Sequence, residues 1–113
     1  MNDRITQTKA DILKALAHPT RLNILESLRD GERCVCEIID DVNIEQSNVS
    51  QHLAVLKKLD IVSSRKDGLR VIYQVKHEEI FKILSLLDSF ISRQMEETMA
   101  MLDGLKQKRA VSN

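Results

Sequence analysis

A chain of 113 residues fits one domain, and its 42% hydrophobic and 30% charged content describes an ordinary globular protein rather than a disordered one. Formal net charge is zero, which taken alone argues against a nucleic-acid partner. No apolar run approaches the roughly 18 residues of a membrane span, and the polar start Met1-Asn2-Asp3-Arg4 lacks the apolar segment of an export signal.

Ile5, Ile12, Leu13 and Leu16 recur at helical spacing and predict a first helix that stops near His18, before Pro19. Pro19 suits the first turn of a second helix, where its missing N–H leaves nothing unpaired. That helix carries Leu22, Ile24, Leu25 and Leu28 and ends before Gly31. A short third helix is expected from about Cys34 to Val42, then a turn through Asn43-Ile44-Glu45. The fourth runs from about Ser47 to Leu59, with Val49, Leu53 and Leu56 inward. Two β-rich runs, Ile61 to Lys66 and Arg70 to Val75, flank Asp67-Gly68 and read as a hairpin.

The remainder predicts a long helix with Ile80, Ile83, Leu84, Leu87, Ile91, Met95, Met99 and Leu102 in steps of three and four. So long a stripe exceeds what a small domain covers with its own core, so pairing with a second copy is expected. Residues 106–113 are expected to be a frayed tail behind a single domain over 1–105. The order of elements is that of a mainly α winged helix-turn-helix: the fourth helix enters the major groove and the β-hairpin wing approaches the flanking backbone.

Gln46, Ser47, Asn48, Ser50 and Gln51 gather at the start of that reading helix, where amides and hydroxyls reach base edges and phosphates. Ser47 could instead cap the helix. His52 lies beside the reading face and is assigned a base or phosphate contact, because Val49, Leu53 and Leu56 already define the buried side. Arg65, Lys66 and Arg70 surround the wing turn, as phosphate ligands or as plain surface charge. The zero net charge hides an asymmetry. Glu26, Asp30, Glu32, Glu37, Asp40, Asp41 and Glu45 precede the reading helix, whereas Lys57, Lys58, Arg65, Lys66, Arg70 and Lys76 follow its start. A local basic surface serves phosphate binding, although a solvated charged face accounts for the same pattern.

Three separated motifs carry a resemblance: Leu16-Ala17-His18-Pro19-Thr20-Arg21-Leu22-Asn23-Ile24-Leu25, then Gln46 through Leu56, then the wing ending Ile72-Tyr73. In this order, over residues 10 to about 85, the chain resembles the ArsR/SmtB family of bacterial repressors. The resemblance implies a homodimer that binds double-stranded operator DNA with dyad symmetry and releases it when an inducer binds. No enzyme is expected, because the residues offer no nucleophile–base pair, phosphate loop or metal-hydrolase spacing.

Cys34 and Cys36 are the only cysteines. Their i, i+2 spacing makes a poor structural disulfide and predicts a cytoplasmic protein, in a reducing setting where such thiols are free, metal-bound or redox-active. In a regular helix such residues point about 200° apart, so the sulfurs converge only if Cys34 sits at or before the first turn. Glu32-Arg33-Cys34-Val35-Cys36-Glu37 resembles the arsenic- and cadmium-sensing branches of the family. Thiolates suit As(III) foremost, and also Sb(III), Cd(II), Pb(II) or Zn(II). The pattern departs from those sensors. Ile39 stands where arsenic sensors often carry a third cysteine, and residues 1–17 hold no cysteine. The long helix offers His77 and Glu78 near its start, but Ser89 and Ser92 further along. A redox- or persulfide-responsive repressor, a non-sensing winged-helix protein and a dimeric scaffold remain the alternatives.

Overall fold

The computed structural model describes residues 3–111 and divides the chain into two compact units, one up to Glu78 and one from Glu79. The first unit contains α1 (Asp3–Leu16), α2 (Pro19–Ser27), β1 (Arg33–Cys34), α3 (Val35–Val42), α4 (Gln46–Lys58), β2 (Val62–Asp67) and β3 (Arg70–Val75). The second is one helix, α5 (Glu79–Val111).

Each break between helices has a local cause. His18 has extended backbone, and its Nδ1 accepts the Thr20 N–H at 3.1 Å while Pro19 opens α2. This cap satisfies an orphan amide, and proline has none to lose. Asn43 ends α3 in the left-handed conformation, φ 54°, which asparagine tolerates better than most residues. The chain then re-enters helix at Gln46, so α3 and α4 form the helix-turn-helix pair. Val49, Leu53 and Leu56 of α4 are fully buried, as are Ile24 and Leu25 of α2 and Ile38 of α3. Burial is worth about 1.5–3 kcal/mol for each large aliphatic side chain. It fixes which face of α4 remains outside.

The wing is an antiparallel sheet of three strands in the order β1-β3-β2. Asp67 pairs with Arg70, so the loop residues are Gly68 and Leu69 rather than the expected Asp67-Gly68. Gly68 has φ +64° and Leu69 has no positive φ, the pattern of a type II′ turn with glycine first. β1 was not expected at all. Its two residues pair Arg33 with Tyr73 and Cys34 with Ile72, a strand too short to leave an alternation in the sequence.

Two further expectations change. α4 begins at Gln46, with Glu45 at the cap position and no side-chain cap bond, so Ser47 lies inside the first turn and does not cap. α5 continues to Val111, so residues 106–111 are helical rather than a frayed tail; Ser112 and Asn113 lie outside the described residues. Leu105-Lys106-Gln107-Lys108-Arg109 consists of good helix formers, and the basic Lys108 and Arg109 in the last turn complement the helix dipole. No helix among the described residues is long and apolar enough to cross a membrane.

Candidate nucleic-acid interface and thiol pair

Gln46, Ser47, Asn48, Ser50 and Gln51 are all exposed on α4, because Val49, Leu53 and Leu56 take up its inner face. The uncapped start of α4 leaves amide donors for an anionic partner beside these side chains. The surface is polar, hydrogen-bonding and unencumbered, as direct readout of base edges requires.

His52 is placed differently from its neighbours. It is half-buried, its Nδ1 accepts Arg21 Nε at 3.0 Å, and its ring centroid lies 4.4 Å from that of His18. Arg21 also donates through Nη1 to the Ala15 carbonyl at 3.2 Å. Burial, followed by the nearby His18 and Arg21, holds the His52 pKa below its ordinary value. The neutral imidazole can accept from Arg21, and it ties α4 to α2.

The wing bases are also engaged. Arg65 grips Glu32 with two hydrogen bonds, Nη2 to Oε1 at 2.7 Å and Nε to Oε2 at 3.3 Å. Arg70 Nη2 donates to Glu37 Oε1 at 3.1 Å. The Arg65 hydrogen bond holds the Glu32 carboxyl below the usual carboxylate range, and Glu32 in turn raises Arg65. Lys66 is exposed near the turn. The acidic and basic stretches that stand apart in the sequence therefore meet at Arg65 and Arg70. Exposed pairs of this kind are screened by water and salt and hold their partners weakly, so a phosphate can compete for either arginine.

Cys34 and Cys36 are joined by a disulfide, against the expectation from their spacing. The reason is the β1–α3 junction. Cys34 is the N-cap of α3 with extended backbone, φ −74° and ψ 158°, while Cys36 lies in the first helical turn. Their Cα atoms are 5.3 Å apart, within the range a disulfide spans. Cys34 is 1% exposed and Cys36 is exposed. Cys34 Sγ accepts the Glu37 N–H at 3.3 Å, and Glu37 Oε1 accepts the Cys34 N–H at 3.1 Å. This is a capping box with a cysteine in the position usual for serine or threonine.

The disulfide borders a groove of about 360 Å³ whose walls include Gln46 and Ser50 of α4 and Leu69, Arg70 and Tyr73 of the wing. Among the described residues no three or more His, Cys, Asp or Glu side chains converge as metal ligands. Ile39 borders the same groove, and His77 Nε2 lies 3.9 Å from Asp60 Oδ2. The sequence does contain one signal for Glu37, an acid three residues after the cap. The Glu32–Arg65 and Glu37–Arg70 pairs span 33 positions each and leave no local trace.

A model of the arsR family of bacterial regulatory proteins matches residues 18–64, which hold the helix-turn-helix. Rv0081, an HTH-type transcriptional regulator of Mycobacterium tuberculosis, is 35% identical over 106 residues, 93% of each chain. The chain belongs to the ArsR/SmtB family. The crystal structure of Rv0081 superposes with a TM-score of 0.77 over 84% of this chain and 96% of that one. Another relative, the arsenical resistance operon repressor of Staphylococcus xylosus, is 38% identical over 77 residues, 68% of this chain and 74% of its own. The homodimeric winged helix-turn-helix DNA-binding domain Mb0332 of Mycobacterium bovis, a possible ArsR-family regulator, matches with a TM-score of 0.76 and 29% identity, covering 86% of this chain and 93% of that one. This ArsR-family protein is accordingly a winged helix-turn-helix transcriptional regulator, and its relatives are DNA-binding proteins rather than enzymes.

Proposed function

We propose that this ArsR-family regulator is a cytoplasmic repressor that binds operator DNA with dyad symmetry as a homodimer and releases it when Cys34 and Cys36 are oxidised. The observation that carries the reading is the Cys34–Cys36 disulfide, in a groove whose wall includes Gln46 and Ser50 of the reading helix. Oxidation removes two electrons and two protons from the dithiol, with peroxide or a persulfide as acceptor. Cys34 both caps α3 and pairs with Ile72 in the wing, and α3 packs on α4. A change in its bonding therefore acts on both DNA-facing elements at once. Coupling of about 1–3 kcal/mol changes operator affinity roughly 5- to 150-fold.

Dimerisation is argued from α5. Leu87, Ile91, Met95, Met99 and Leu102 are 47–65% exposed and recur every three or four residues along one stripe, the form of a helix that needs a partner. Two copies of α4 then address two half-sites.

A second reading has a specific observation in its favour. The cap position of Cys34 makes the two sulfurs converge, so the reduced pair can also ligate a trivalent arsenical, with a third ligand from water or a small thiol. Sb(III), Cd(II), Pb(II) and Zn(II) follow by the same thiolate chemistry. The test is operator binding by the reduced protein, titrated separately with peroxide, a persulfide, arsenite and Cd(II). Release by oxidant, restored by dithiothreitol and lost in the Cys34→Ser/Cys36→Ser double variant, is the expected result. Release by arsenite alone replaces redox control with ligation, and release by none leaves a non-sensing DNA-binding protein.

A further inference from the structure

We propose that Cys36 is the sulfur that exchanges with low-molecular-weight thiols and their disulfides, and that the group it acquires occupies the groove between reading helix and wing, obstructing DNA directly. The proposal rests on the thiol-switch reading and adds its entry point and its small-molecule partner.

The two sulfurs are unequal. Exchange requires a thiolate to approach a sulfur atom along the bond being broken, so access decides which sulfur reacts. Cys34 is 1% exposed, and its Sγ is occupied as acceptor of the Glu37 N–H. Both cysteines border the groove, but of the two only Cys36 is exposed. At about 360 Å³ the groove falls within the range of small-molecule sites, roughly 300–1,000 Å³. Leu69, Val71 and Tyr73 supply apolar walls, and Gln46, Ser50 and Arg70 supply polar groups. Gln46 and Ser50 belong to the exposed reading face. A substituent on Cys36 therefore lies against the residues that would meet DNA, and no helix has to move for binding to be blocked.

The chemistry closes. The Cys36 thiolate attacks a small disulfide RSSR, forming the Cys36–S–SR bond and expelling one thiolate RS⁻. Cys34, losing its proton, then attacks the Cys36 sulfur and expels the second RS⁻, which gives the observed disulfide. The protein dithiol is oxidised by two electrons, RSSR is reduced, and the two thiol protons end on two RSH. In the reverse direction the leaving Cys34 thiolate is stabilised by the Glu37 N–H and the start of α3.

The test uses Cys34→Ser, whose hydroxyl can still accept the capping bond, and the mirror variant Cys36→Ser. Each is treated with glutathione disulfide and followed by mass spectrometry. Cys34→Ser should acquire glutathione at least about tenfold faster than Cys36→Ser, the difference expected from access to sulfur. Operator affinity of Cys34→Ser is then compared before and after modification. Glutathionylation should weaken it by at least about tenfold. The much smaller methylthio group, added with methyl methanethiosulfonate, should weaken it less, and dithiothreitol should restore both. Equal rates for the two variants, or equal weakening by the large and small adducts, overturns the proposal. Peroxide treatment of the wild-type protein separates the two claims. If it releases DNA while the adduct series is flat, the switch stands and the groove proposal fails. If it leaves binding intact while adducts act by size, the groove proposal stands and the disulfide switch fails.

Discussion

Glu37 Oε1 accepts hydrogen bonds from the Cys34 N–H and from Arg70 Nη2, each at 3.1 Å. One carboxylate oxygen thus joins the cap of α3, which holds the thiol pair, to a wing arginine proposed as a phosphate ligand. The two interactions differ in kind, since the cap is internal and, on the proposed function, the arginine's alternative acceptor is DNA.

Replacing Glu37 by Gln keeps a side chain able to complete the capping box but removes the charge that holds Arg70. Operator affinity at about 0.1 M salt should rise by up to about fivefold, the worth of an exposed ion pair. Fluorescence anisotropy against operator and scrambled duplexes measures it. Unchanged or weaker binding would show that Glu37 does not compete with DNA for Arg70.

The reading helix and the wing should separate in their kind of defect. Gln46→Ala and Gln51→Ala should each cost about 1–3 kcal/mol per half-site on the operator and little on random DNA, as lost base contacts do. Lys66→Gln should weaken both duplexes and reduce the slope of log affinity against log salt by about 0.9 per subunit, roughly 1.8 for the dimer. All three positions are exposed, so thermal midpoints should stay at the wild-type value. A specificity loss from Lys66→Gln, or none from either glutamine, would reassign the surface.

His52 predicts an acid-side instability. Its folded pKa lies below the ordinary value because of burial, His18 and Arg21. The unfolded chain therefore takes up a proton near pH 6.5 that the folded imidazole resists. The stabilisation is complete above about pH 6.5, erodes as pH falls below that value, and is gone once the folded pKa has been passed. Thermal midpoints measured from neutral pH downward should fall more steeply for wild type than for His52→Gln, which has no such proton to gain. Parallel curves would remove His52 from the account.

Ile91 lies mid-stripe on α5 and is 51% exposed. Ile91→Glu should convert a dimer to monomer in sedimentation velocity and weaken binding to a two-half-site operator far more than to a single half-site. A variant that remains dimeric would place the interface elsewhere.

By itself the sequence determined the architecture. The periodic Val49, Leu53 and Leu56, with Pro19, Gly31 and Gly68 as punctuation, specify which segments are helical and which form the wing. The polar residues between those apolar positions must then face outward, which made Gln46, Ser47, Asn48, Ser50 and Gln51 legible as an exposed surface. Spacing also required Cys34 to sit at a helix start if its sulfur was to meet that of Cys36, and Cys34 is the N-cap of α3. Contacts between distant segments were decided only by the tertiary structure. The two-residue β1 aligned beside β3, Glu32 and Glu37 came within reach of Arg65 and Arg70, and packing of α4 on α2 set His52 against Arg21 and His18. Periodicity records the face a residue buries, but carries no information about partners that arrive from thirty positions away.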